Sequence, residues 1–321
     1  MSLFLFVLKR VGRGVVTIWF AVTVTFLLLR LLPSDPATAI ANTNMTPEIR
    51  ASLLAQYGLD QSLPVQYVKY LGELLQGNLG VSFSQSISVS DSLMDHLPWT
   101  LLLVGVSLVV TIGLGIPLGV LAAARAGGIW DRIVQMVAVT GQSLFVPSVG
   151  IMLLYVFGLK LGWFPIGGAF TDGTFGGEWY LSVIAHLVLP CVSLVLVQLG
   201  AYVLTVRSTL IEALGEDYVT LARANGLPYH RVLWKHALRN ALLPTTTLVG
   251  LQICLYMVGG VVLIETVYAY PGIGRGIFEA VIRLDYPVLQ GAFLLLAATV
   301  VVINMLTDIV YGVLDPRVKA A

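Results

Sequence analysis

The chain has 321 residues, of which 57% are hydrophobic and 11% charged, with a mean hydropathy of +0.89. Soluble domains carry about 25% charged residues, so this composition excludes an ordinary soluble globular protein and reads as a polytopic membrane protein. The formal net charge of +1 argues neither for nor against nucleic acid, and no nucleic-acid partner is inferred from it.

Six apolar stretches are long enough to be read as bilayer-spanning helices: residues 11–32, 97–124, 133–159, 179–206, 241–264 and 288–307. Each is near or above the roughly 20 residues a helix needs to cross about 30 Å of hydrocarbon. The first carries Arg13 and Arg30 near its ends, where long basic side chains reach the headgroups. It is not read as a cleavable signal peptide. Its apolar stretch exceeds the roughly 7 to 15 residues of a signal core, and Leu31-Leu32-Pro33-Ser34-Asp35-Pro36 has no small-x-small cleavage pattern.

Residues 33–98 are too long for a simple connection and too polar for lipid, so a small folded element outside the membrane is expected there. Thr46-Pro47-Glu48 offers a helix start, followed by Ile49, Leu53 and Tyr57 on one face and a stop at Gly58. A second helix is predicted from about Pro64 to Gly77, with an apolar stripe of Tyr67, Tyr70, Leu71, Leu74 and Leu75. The stripes can pack on each other and on the membrane core, or form a platform for an external partner.

Within the spans, Gly113, Gly115, Pro117, Gly119, Pro147 and Pro190 permit close helix approach or bending. Gln142, Ser143, Gln198, Gln252 and Asn304 place uncharged polar groups at membrane depth, where they must face other helices or water. Interhelical hydrogen bonding and lining of a substrate path both remain open; the path candidates are Gln142, Ser143, Gln198, Gln252, Tyr256 and Glu265. Of the ionisable groups, Glu265 lies near the outer end of the fifth span and Asp308 near the inner end of the sixth. A proton-driven carrier needs such groups near the midplane, which weighs against that mechanism. Cys191 and Cys254 lie in apolar spans and read as small hydrophobes with no disulfide.

Basic residues set the orientation, because Lys and Arg are retained on the cytoplasmic side. With the N-terminus inside, Lys9, Arg10, Arg13, Arg125, Arg132, Arg207, Arg223, Arg231, Lys235, Arg239, Arg317 and Lys319 are cytoplasmic. Arg30, Arg50, Lys69, Lys160, Arg275 and Arg283 are external. The two-to-one bias favours six spans with both termini cytoplasmic.

No phosphate-cradling GxxxxGK[ST] loop, HExxH, paired Cys/His spacing or GxSxG elbow occurs, and Gly272, Gly274 and Gly276 lack the strand-turn-helix context of a dinucleotide site. Catalysis, a metal site and a cofactor in this polypeptide are therefore not expected. The loop 207–243 is different, because it gathers charge, small residues and aromatics at helical spacing. Leu210, Ile211, Leu214, Tyr218, Leu221 and Ala222 form one stripe, with Glu212, Glu216, Asp217 and Arg223 between them. Gly226 ends that helix, Pro228 opens the next, and Arg231, Lys235, His236 and Arg239 make it basic.

The stretch EDYVTLARANGLPYHRVLWKHALRNALLP resembles the cytoplasmic coupling loop of ABC importer permeases of the dipeptide and oligopeptide group. LLRLLPSDPA, YGLDQSLPVQYVKYLGELLQGNLGVSF, GIPLGVLAA, LGWFPIGG, ETVYAYPGIGRGIFEAVIRLDYPVLQG and NMLTDIVYGVLDPRV follow that group's motifs in order and spacing. Ser34, Asn78 and Asn225 depart from it, where the group usually has glycine, aspartate and lysine.

The resemblance implies an all-α type I importer permease with a helix and external segment over 1–97, a five-helix membrane domain over 98–313, and a cytoplasmic tail over 314–321. It implies a homologous second permease, two ABC ATPase subunits or one fused chain, and an external substrate-binding protein as partners. ATP and Mg would then be bound by the ATPase subunits. Glu216, Asp217, Tyr218, Ala222, Arg223, Ala224, Gly226 and Arg231 become the ATPase-coupling residues, with Ala222, Ala224 and Gly226 allowing close approach and the charges pairing across the interface. Peptide is the first choice of cargo, with nickel or glutathione as the alternative. A secondary carrier would need ionisable relays and inverted repeats, and a membrane enzyme would need a catalytic constellation; neither is legible.

Overall fold

The computed structural model describes residues 3–31, 60–255 and 261–314, and every named element among them is a helix; one isolated antiparallel bridge joins Val81 and Ser88. In chain order these are α1 (Leu3–Leu31), α2 (Leu63–Leu75), α3 (Val89–Ala124), α4 (Ile129–Ser143) and α5 (Val146–Leu153), which a π-helical stretch, Leu154–Lys160, extends. Then follow α6 (Gly177–Leu214), α7 (Asp217–Ala224), α8 (Leu238–Leu255), α9 (Val261–Val267), α10 (Ile273–Ile282) and α11 (Tyr286–Leu314). A short turn, Tyr229–Arg231, and a π-helical stretch, Val232–Ala237, lead into α8.

Among the described residues, four helical segments are long and apolar enough to cross a bilayer: Arg10–Leu31, Val89–Ala124, Gly177–Leu214 and Tyr286–Met305. They contain the expected first, second, fourth and sixth spans, apart from one and two residues at the ends. The expected third span, 133–159, is not one straight helix: α4 and the segment from Val146 to Lys160 meet at 97°. Leu144 and Phe145 are extended (φ/ψ −78/139 and −79/116), and the chain re-enters a helix with Pro147 in the first turn. Proline has no N–H to donate to the preceding turn, so the helix on its N-terminal side stops and a new one starts. Within the expected fifth span, 241–264, the chain is helical on either side of residues 256–260, which are outside the described residues, as are Tyr256 and the external helix signal at Thr46 to Gly58.

The chain forms two compact units, one of Ser2–Thr100 with Pro271–Val301 and the other of Leu101–Tyr270 with Val302–Ala321. In the first of these, α2 begins with Pro64 in its first turn and ends at Gly77 (φ +77), whose N–H bonds to Leu74 O while Asn78 N–H bonds to Glu73 O. The predicted stripe on α2 is only partly used. Tyr67 and Tyr70 pack on Phe26 of α1 with ring centroids 5.3 and 5.7 Å away, and the Tyr67 and Thr23 hydroxyls are 2.7 Å apart. Burial, with Tyr67 beside it, pushes the Tyr70 phenol up to about 12. Leu75, by contrast, is 90% exposed, so it does not belong to that face.

The same unit contains a buried carboxylate. Asp285 accepts hydrogen bonds from Ser82 Oγ (2.6 Å), Ser84 Oγ (2.7 Å), Ser84 N (2.9 Å) and Phe83 N (3.2 Å), fixing the turn that follows Gly80. Asp285 is delivered by a helix end in which Leu284, at φ +54, occupies the left-handed position usually given to glycine.

In the other unit, α4 and α6 form a close antiparallel pair. A Cβ on Gly141 would lie 2.7 Å from Leu196 O, and one on Gly200 would overlap Ala138 O, so glycine is what lets the backbones meet. A second junction forms around Tyr268, whose hydroxyl donates to Gly150 O (3.0 Å) and lies 2.9 Å from Ser193 Oγ. Gly168 N–H donates to Tyr268 O (3.0 Å), and a Cβ on Gly167 would lie 2.9 Å from the same oxygen. The LGWFPIGG and ETVYAYPG segments are thus docked on each other.

Candidate functional site

The loop 207–243 is built on a scaffold of membrane-helix ends. Val120 and Ala123 of α3, Val206, Leu210 and Ala213 of α6, Val219 and Ala222 of α7, Val232, Leu233 and Ala237 of the π-helical stretch, and Leu238 and Ala241 of α8 form one buried apolar cluster. Thr209 Oγ1 also donates to Ala241 O (2.9 Å), tying α6 to α8 directly. A displacement of α7 is therefore shared with the ends of three long helices, because a close-packed interior transmits strain.

The single stripe expected across 210–222 is corrected in one respect. The long helix α6 stops at Leu214, Glu216 is extended (φ/ψ −76/150), and α7 starts afresh at Asp217. The break changes the helical phase, so Val219 and Ala222 face inward while Tyr218 (36% exposed) and Leu221 (63% exposed) face outward. Ala222 packs inside the cluster and does not offer its methyl for close approach by a partner. Glu216, Asp217, Arg223, Ala224, Gly226 and Arg231 are exposed.

The outward face combines acids at the start of α7, where the helix dipole favours negative charge, with aromatic and basic groups beyond its end. Tyr229 and Trp234 are 50% and 40% exposed, the Arg223 guanidinium lies 5.9 Å from the Tyr229 ring centroid, and His230 and Trp234 are 6.2 Å apart. The turn at Gly226 (φ +76) closes with Gly226 N–H to Arg223 O (2.9 Å) and Leu227 N–H to Ala222 O (3.4 Å), the paired bonds of a glycine C-terminal cap. Leu227 then packs against the buried cluster.

The described path candidates lie on four helices and differ in burial. Gln142 and Ser143 are exposed at the end of α4, and the Ser143 hydroxyl donates to Val139 O (2.9 Å). Gln198 is buried in α6, Gln252 is half-buried in α8, and Glu265 is fully buried in α9. A separate apolar concavity of about 430 Å³ lies between Ile112, Ile116, Val249, Ile253 and Ile303, with Arg239 among its lining groups.

One feature of this unit escaped the sequence reading. Arg207 grips Asp131 in a fork, with Nε to Oδ1 at 2.5 Å and Nη2 to Oδ2 at 2.8 Å, and the carboxylate also accepts from Gly127 N (2.8 Å) and Gln135 Nε2 (2.8 Å). Counting basic residues for orientation draws attention to Arg132 and passes over its acidic neighbour. The available signal was Gly127-Gly128 followed by an acid in a first helical turn, with Gln135 one turn later.

Residues 115–320 match the family described as "Binding-protein-dependent transport system inner membrane component", and residues 3–104 match its N-terminal counterpart, "Binding-prot-dependent transport system membrane comp, N-term". The chain belongs to this family of transport permease subunits and is an integral inner-membrane protein. It is 35% identical over 334 residues to the dipeptide transport system permease protein DppB of Escherichia coli (strain K12), covering 98% of each chain. It is 35% identical over 331 residues to the di/tripeptide transport system permease protein DppB of Pseudomonas aeruginosa (strain UCBPP-PA14), again covering 98% of each. A chain from the inward-facing MetNI methionine ABC transporter shares the fold, with a TM-score of 0.56 over 70% of this chain and 96% of that one, at 19% identity.

Proposed function

We propose that this chain is one of two permease subunits of an ATP-driven peptide importer, forming half of the path for di- or oligopeptides handed over by an external binding protein. The observation that carries this reading is the outward face of α7 mounted on the ends of α3, α6 and α8, in a chain similar over 98% of its length to dipeptide permeases. In this reading two ATPase subunits hold ATP and Mg, and one of them receives Glu216, Asp217, Tyr218, Arg223, Ala224, Gly226 and Arg231. The chain itself performs no chemistry. ATP-driven closure displaces α7, and the shared apolar cluster conveys that displacement to the membrane helices. Both termini and the loop 207–243 lie in the cytoplasm, while α2 and the Asp285 turn lie outside.

The test is reconstitution. Proteoliposomes holding this chain, its second permease and the ATPase subunits, supplied with loaded binding protein, are expected to take up labelled peptide only with ATP. Unlabelled peptides should compete. Competition by nickel chelates or glutathione but not by peptides would reassign the cargo, and ATP hydrolysis copurifying with this chain alone would overturn the division of labour.

A further inference from the structure

We propose that the Asp131–Arg207 pair is the strut that carries movement of the coupling loop into α4 and on to the bend at Leu144–Phe145. This inference rests on the reading of 207–243 as the ATPase-docking loop. Arg207 sits in the last two turns of α6, seven residues before that helix ends at Leu214, and Asp131 sits in the first turn of α4. The fork is bidentate and the carboxylate is 1% exposed, so the two helix ends are held in one geometry and not by a loose surface attraction. Removing either partner would leave the other charge poorly compensated.

The pair is also the end point of a matched ladder. Asp131 lies opposite Arg207, Ala138 opposite Gly200, and Gly141 opposite Leu196. The partners advance along α4 as they retreat along α6, as an antiparallel pair requires. At the two glycine contacts the backbones already touch, so the helices have little freedom to slide and a push at Arg207 moves α4 as a body. The last of these close contacts lies two residues before α4 ends at Ser143, where the chain turns by 97° into α5. Displacement is therefore delivered at that bend, beside the path candidates Gln142 and Ser143. Asp131 and Arg207 are positioning residues: they touch no cargo and act through α4.

The experiment uses the complete reconstituted complex in a version lacking Cys191 and Cys254, with an environment-sensitive fluorophore at Met152→Cys, an exposed site on α5 beyond the bend. In the parent complex, ATP should change the fluorescence. In Asp131→Asn the ATPase subunits should still copurify and hydrolyse ATP, while the fluorescence response is lost and peptide uptake per ATP falls about tenfold. Arg207→Lys keeps the charge but not the fork, and should give an intermediate ratio. A parental fluorescence response and uptake ratio in Asp131→Asn would overturn the strut, as would loss of ATPase copurification, which would make the pair part of the docking surface. If Asp131→Asn fails to assemble, Arg207→Lys decides, and a parental ratio there overturns the proposal. Failure of the docking reading shows separately, as intact ATPase copurification in Gly226→Asp.

Discussion

The Tyr268 hydroxyl donates to the carbonyl of Gly150 at 3.0 Å, joining the turn after α9 to the helix that follows the bend. The same oxygen lies 2.9 Å from Ser193 Oγ of α6, so one phenol bridges three segments that are distant in sequence. Tyr268→Phe keeps the ring and removes the bridge, leaving the Ser193 hydroxyl without that contact. Thermal unfolding of the purified complex in detergent should move to lower temperature by an amount corresponding to about 1–3 kcal/mol. An unchanged unfolding midpoint would show that the bridge does not hold these segments together.

Gly226 makes a sharper case, because a Cβ there would meet no atom within 4 Å, yet its φ of +76 is one that residues with a Cβ adopt at a cost. Gly226→Ala should therefore cost roughly 1 kcal/mol of local stability and keep most ATPase binding. Gly226→Asp adds negative charge just beyond the negative end of α7 and a bulkier group on the docking face. It is expected to leave the permease inserted while weakening ATPase copurification and abolishing uptake. Equal copurification for glycine, alanine and aspartate would remove this turn from the interface.

Asp285 predicts a separable structural effect. Asp285→Ala withdraws the acceptor from Ser82, Phe83 and Ser84 at once; Ser82 is the buried donor among them, and leaving it unsatisfied costs about 1–3 kcal/mol before relaxation. The turn at residues 80–88 should loosen. Limited proteolysis should then cut near Ser84 and Gln85 faster than in the parent, and Asp285→Asn should fall between the two. Cleavage at the parental rate in the alanine variant would contradict this role.

Topology can be checked in a version lacking the native cysteines. Ser62→Cys and Tyr229→Cys place thiols at exposed positions before α2 and at the start of the turn that leads into α8. An impermeant reagent added to intact cells should label only the first, and both after the membrane is opened. Labelling of both from outside would refute the proposed orientation.

The sequence by itself determined the class and most of the long helices. Apolar runs such as 97–124 and 288–307 have one stable outcome in a bilayer, because a helix satisfies its own backbone hydrogen bonds. It also determined the local stops at Gly77 and Gly226, since a left-handed residue at a helix end is a local requirement met by glycine. Tertiary structure alone decided what those helices do to one another. The hydropathy of 133–159 is continuous through Pro147, and only the folded chain shows that this run turns by 97°. Likewise Tyr218 and Ala222 share a stripe if one helix crosses Gly215, but the break there turns one outward and buries the other against α6 and α8. The Asp131–Arg207 fork and the Asp285 turn join residues 76 and about 200 positions apart. Periodicity is a property of neighbours along the chain, whereas a hydrogen bond between distant residues exists only once packing has brought both groups out of water together.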